Sequence, residues 1–304
     1  MHAKLLKVFN DNQLASVLAL ILAVLGFLIN FGMFASVVVA VVTMYRGAKA
    51  GAYVMSWSLL PVLSSMVVGY FSLADLFLLE VVLVWLLSIL LHRGIAWLHL
   101  LGALFLLATT CMVAVHVFVP SMSQEWLQAV KQVMQSHVMM DQLNEFGSEF
   151  DLESFKQTSQ LLAPYMTSFL LSLMIFEVML VMLVSQSFYT WLYKKQRADF
   201  LQLRLPMVYS LMWMICVALG MGAGIFWMIE LMVIALPLFI FSGFSLFNAY
   251  MRLNPKRWML LIVFYVLLLL CFPLVLLMAG LMGLVDSFVN FRRIWAQRKL
   301  FVMN

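Results

Sequence analysis

Residues 193–206 read YKKQRADFLQLRLP, the densest run of charge in a chain that is otherwise almost wholly apolar. Four basic side chains, Lys194, Lys195, Arg197 and Arg204, fall in this stretch, and Arg-Leu-Pro closes it. Long apolar runs flank it, at about 162–192 and 207–226, each long enough to cross a hydrocarbon core of roughly 30 Å as a helix. Lys and Arg in short loops gather on the cytoplasmic side, so the stretch reads as an inner connection between two spans. Phe200, Leu203 and Leu205 are interspersed with the charges, which suits a segment lying on the inner surface with its cations toward anionic headgroups. Pro206 opens the next span, where its missing N–H costs little.

Composition generalises that local reading. Of 304 residues, 65% are hydrophobic and 10% charged, against roughly 45–50% and about 25% in a soluble domain. The chain is expected to be an all-α, polytopic integral membrane protein and a single membrane domain, because helices satisfy the backbone in lipid and no period-2 strand pattern occurs. Further spans fall at about 13–30, 33–45, 51–70, 74–91, 96–119, 229–249 and 258–290. The last is too long for one crossing. Phe272-Pro273 supplies a break, since proline interrupts a helix and restricts its predecessor.

A reversal there predicts about eight to ten membrane-embedded helices with both termini cytoplasmic. Sixteen of the 18 basic residues then lie inside, and Lys131 and Lys156 lie outside. The first apolar run exceeds the usual signal-peptide length and lacks a small-x-small cleavage site, so the N-terminus is expected to be retained. Trp97, Trp191, Tyr193 and Trp258 stand near span ends, where interfacial rings belong.

Pro120–Gln160 is the one long external segment, carrying six acids against two lysines. Trp126, Val130, Val133, Met134 and His137 recur at helical spacing, which predicts an amphipathic helix at the outer interface; a second helix starts after Asp151, a suitable N-cap. The segment reads either as a tether between two spans or as a lid over a cavity open to the outside. Cys111, Cys216 and Cys271 lie in separate apolar runs and provide neither a disulfide framework nor metal-ligand spacing.

The opening stretch also carries a family resemblance. RADFLQLRLP, followed by a span with Gly220, Gly222 and Gly224, resembles the "GF..EF..LRLP" signature of the YybS-like domain-of-unknown-function family of bacterial inner-membrane proteins. Arg46-Gly-Ala-Lys-Ala-Gly51 is similar to that family's early "G…AG" loop, and Gly283-Leu-Val-Asp286 with Arg292-Arg293 to its closing "GL.D…RR". The motif residues are Arg204, Leu205 and Pro206; Arg197-Ala198 replaces the usual glycine-phenylalanine, as in a divergent member. The resemblance implies a bacterial inner-membrane protein distantly similar to the substrate-binding S components of energy-coupling-factor transporters. Such a subunit captures a micronutrient and docks on a transmembrane coupling subunit driven by ATPases. Ala15, Ala19 and Ala23, four apart on the first span, offer a small-residue face for such docking or for packing within the chain.

Ionisable residues inside a span cost a few kcal/mol on insertion scales and are functional candidates by default. Glu80 and Glu177 are the expected substrate contacts or proton relay, and His116 is placed where it could meet Glu177. Glu230, at the start of its span, reads as a carboxylate favoured by a helix N-terminus at the interface. His99 and His116 are too far apart along one span to share a metal. No GxxxxGK[ST], HExxH or GxSxG sequence is present, so neither an enzymatic activity nor a cofactor is expected. The expected function is a substrate-binding transport subunit in the lipid bilayer; the alternative is a membrane scaffold or assembly factor.

Overall fold

The computed structural model describes residues 2–29, 33–67, 74–135, 152–194, 199–253 and 257–295. Lys195, Arg197 and residues 136–151 of the long polar segment lie outside them. Among the described residues the chain is helical and contains no strand. The helices are α1 (His2–Asn10), α2 (Asn12–Ile29), α3 (Met33–Arg46), α4 (Ala48–Val67), α5 (Ala74–His92), α6 (Trp97–Phe118), α7 (Met122–Gln135), α8 (Leu152–Leu162), α9 (Met166–Tyr193), α10 (Met207–Val217), α11 (Phe226–Leu253), α12 (Arg257–Leu270) and α13 (Phe272–Val289). Five helical stretches are long and apolar enough to cross a membrane: Ala48–Val67, Trp97–Phe118, Gln157–Tyr193, Phe226–Met251 and Phe272–Val289.

The chain's punctuation explains the boundaries. Gly47 and Gly94 adopt φ of +88° and +82° between α3 and α4 and between α5 and α6, a left-handed geometry that glycine reaches without strain. The long final run divides at Cys271, immediately before Phe272-Pro273, with the proline in the first turn of α13 where it deprives the helix of nothing. The polar segment contains the amphipathic helix α7 and a second helix beginning at Leu152.

The helices group into two compact units. The first comprises Met1–Ala103, Met174–Leu205 and Leu238–Asn304; the second comprises Leu104–Leu173 and Pro206–Pro237. The core of the first unit gathers Val38, Val39 and Val42 of α3, Val54 of α4 and Val81 of α5 around Ala15 and Ala19 of α2. Ala15, Ala19 and Ala23 are 0%, 0% and 3% exposed. Of the two readings of this stripe, the structure shows packing within the chain: small side chains let α3 and α4 approach α2 closely, and the chain's own helices cover the face. One end of this unit is pinned by polar contacts. Arg46 Nη1 donates to Asn10 O at 2.9 Å, Trp85 Nε1 donates to Ala48 O at 3.1 Å, and Tyr45 stacks on Tyr193 with centroids 3.8 Å apart.

A second polar knot in the first unit joins the opening stretch to the chain's closing segment. Arg204 donates from Nε to Asp286 O (3.1 Å), which also accepts from Asn290 N, and from Nη2 to Ser287 O (2.9 Å), so the guanidinium ties down carbonyls of the last turn of α13. Asn290, at φ 52°, turns the chain back so that Phe291 N donates to Asp286 Oδ1 (3.0 Å). Arg292 then donates to the carbonyls of Leu201 and Leu203 and to Ser245 Oγ, and stands 3.6 Å from Asp286 Oδ2. Burial pulls the Arg292 guanidinium below its ordinary value while the Asp286 carboxylate opposes the fall. The motif pieces around Arg204, Asp286 and Arg292 thus meet in one cluster, with Leu203 and Leu205 buried beside it. Pro206 is the residue that immediately precedes α10.

Candidate functional site

Two groups of acidic residues occur within the apolar helices. In the first unit, Glu80 of α5 is 4% exposed, and its Oε1 is buried without a hydrogen-bond partner. Glu177 of α9 is within electrostatic reach of it, and the Ser36 hydroxyl lies close by. Glu80 and Ser36 are both buried, whereas Glu177 is exposed on its helix. The two carboxylates named from sequence thus belong to one unit and lie within electrostatic reach of each other.

The second group is built in the other unit around a residue that the sequence reading placed at an interface. Glu230 lies on the second turn of α11 and is 0% exposed. Its position follows from the connection before it: α10 runs into a π-helical turn, Ala218–Gly222, and Gly224 at φ +68° redirects the chain into α11. Gly220 faces Ile229 where a Cβ would crowd it, and Trp213 Nε1 donates to Met232 O at 3.2 Å, so α10 and α11 pack closely at this level. π turns of this kind occur frequently at functional positions.

Glu230 Oε1 accepts a hydrogen bond from Ser168 Oγ at 2.9 Å and lies 3.5 Å from His116 Nε2. Its Oε2 is buried without a hydrogen-bond partner. His116 Nδ1 is 3.0 Å from Met112 O, one turn back on α6. A carbonyl only accepts, so Nδ1 carries hydrogen and Nε2 is the nitrogen that faces the carboxylate. Trp227 and Phe226 flank the imidazole at centroid separations of 4.7 and 5.6 Å, and Tyr165 stacks on Phe226 at 5.1 Å. Next to Ser168, the Thr167 hydroxyl accepts from Trp126 Nε1 of α7 at 2.9 Å.

Of the residues singled out from sequence, the structure thus brings Glu80 to Glu177 and gives His116 a different acid, Glu230. The helix-start position of Glu230 is visible in sequence, but its partner lies far away in the chain, and no local pattern links them. Among the described residues, no group of three or more His, Cys, Asp or Glu could hold a metal ion. No protein-family profile, characterised protein or solved structure matches this chain.

Proposed function

We propose that the protein is a multipass transport protein of a bacterial inner membrane, with both ends cytoplasmic, in which Glu80 and Glu177 take up a proton or a cationic group of a small solute. The observation that carries this reading is the Glu80 carboxylate, buried in an apolar helix bundle with the Ser36 hydroxyl close by and with its Oε1 unpartnered among the described residues. A second acid beside it adds to the cost of keeping both ionised in lipid. A carboxylate held there at such a cost acquires a purpose when a proton or a cation neutralises it during each cycle. Such a site also explains how a chain without a phosphate-binding loop could be driven, since an ion gradient acts on titratable groups directly. The resemblance to YybS-like proteins and S components agrees with solute capture. Any coupling subunit, however, would have to dock on a face other than the covered Ala15/Ala19/Ala23 stripe.

The test is purification of the wild-type chain and the E80Q variant from the native membrane. Each is analysed by mass spectrometry of retained small molecules and, after reconstitution in liposomes, by proton flux with an entrapped pH dye. Retention of a metabolite by the wild type with roughly tenfold loss in E80Q, or proton flux lost in E80Q, supports transport. Neither ligand nor flux in the wild type rejects it.

A further inference from the structure

We infer that His116 and Glu230 form a one-proton binding site within the second unit, distinct from the Glu80–Glu177 pair. The geometry requires a proton between them. With Nδ1–H committed to Met112 O, a neutral imidazole presents a bare lone pair at Nε2, and it does so 3.5 Å from Glu230 Oε1. An ionised Glu230 opposite that lone pair would set acceptor against acceptor, with the carboxylate 0% exposed. The Ser168 hydroxyl, 2.9 Å away, helps one oxygen but supplies no net charge, and Oε2 has no donor among the described residues. One proton resolves the conflict. It resides either on Nε2, giving imidazolium against carboxylate, or on the carboxyl, donating to Nε2. Both forms leave the pair neutral overall, and loss of the proton leaves one uncompensated negative charge buried.

His116 keeps 22% of its side chain exposed, whereas Glu230 is enclosed. His116 comes from α6, Ser168 from α9, and Phe226 and Trp227 from α11; Tyr165 reaches Phe226 with its ring, and Cys111 of α6 and Tyr209 and Cys216 of α10 are further titratable groups of this unit. On α7, Glu125 is engaged by Ser121 at 3.3 Å, and Glu125 and Lys131 are both exposed. Among the described residues, His116 is the titratable side chain that faces Glu230. Thr167, the chain neighbour of Ser168, accepts from Trp126 Nε1 of α7.

The site is tested on the full chain in lipid nanodiscs, with nitrogen-15 histidine and carbon-13 glutamate labels read by magnetic resonance. The H116N and E230Q variants assign the two signals. At neutral pH, wild-type Nε2 is expected to carry or share the proton, and in E230Q it takes the position of an unprotonated imidazole nitrogen. A bare Nε2 opposite an ionised Glu230 carboxylate in the wild type, or an Nε2–H that persists unchanged in E230Q, overturns the site. If E230Q does not fold, alkaline titration of the wild type alone decides. The His116 nitrogen and Glu230 carboxyl signals should move together in one single-proton step, and independent movement overturns the proposal. Movement of both signals on adding sodium at fixed pH would also overturn it, making the site one for a metal cation. None of these readouts depends on solute movement, so failure of the transport reading leaves this result standing and distinguishable.

Discussion

Arg204 donates from Nη2 to the carbonyl of Ser287 at 2.9 Å, 83 residues further along the chain. A second bond, from Nε to Asp286 O, makes the guanidinium a fork across the last turn of α13. The basic residue that closes the opening stretch thus acts as a structural clamp, beyond any part it takes in orienting the chain. Lysine cannot reproduce a fork with fixed geometry. Arg204→Lys and Arg204→Ala are both expected to destabilise the detergent-solubilised protein by about 1.5–3 kcal/mol. A thermal-unfolding midpoint equal to wild type in both would show that the fork carries no stability.

Arg292→Ala should be at least as damaging as Arg204→Ala. It abandons the Leu201 and Leu203 carbonyls, Ser245 and the buried carboxylate of Asp286 together. The double variant R292A/D286A should recover part of the loss, because the stranded charge leaves with its partner. The comparison is made on thermal midpoints of the three variants, and a double variant worse than the sum of the singles would contradict the pairing.

Gly243 of α11 and Gly283 of α13 mark a close helix crossing. A Cβ on Gly243 would run into Ala279 O, and one on Gly283 into Phe239 O. Gly243→Ala and Gly283→Ala are each expected to destabilise by about 1–3 kcal/mol, the range for overpacking a filled interior. Gly222→Ala, with open space around it, should leave the midpoint within about 0.5 kcal/mol of wild type. Equal effects at all three glycines would argue against the crossing.

Ala15→Leu and Ala19→Leu discriminate internal packing from partner docking. Both positions are 0% exposed, so added methyl groups should lower yield and thermal stability of the chain on its own, again by about 1–3 kcal/mol. Monodisperse, fully stable variants would return this face to an intermolecular role.

The outline of this fold was legible because hydropathy and punctuation are local. The runs starting near residues 13, 33, 74 and 207 became helices from Asn12, Met33, Ala74 and Met207, and the break before Pro273 fell where a proline must place it. The site was less legible. An alanine repeat such as Ala15/Ala19/Ala23 announces a close approach without naming what approaches, and here the answer was α3 and α4. Glu230 announced a helix start, while its significance depends on His116 and Ser168, which only tertiary packing brings to it. The grouping into two units has no signature in composition, since both are drawn from the same apolar alphabet.

The knot around Arg292 also sets an order of events during synthesis. Leu201 must wait for a donor that is 91 residues downstream, a delay of about 5–20 s at the usual pace of translation. Until that segment emerges, the carbonyls of the loop depend on water or headgroups, so the nascent protein stays unlatched at this end. Ribosome stalling or truncation shortly before Arg292 would therefore leave a chain with nearly all its apolar helices and no closure.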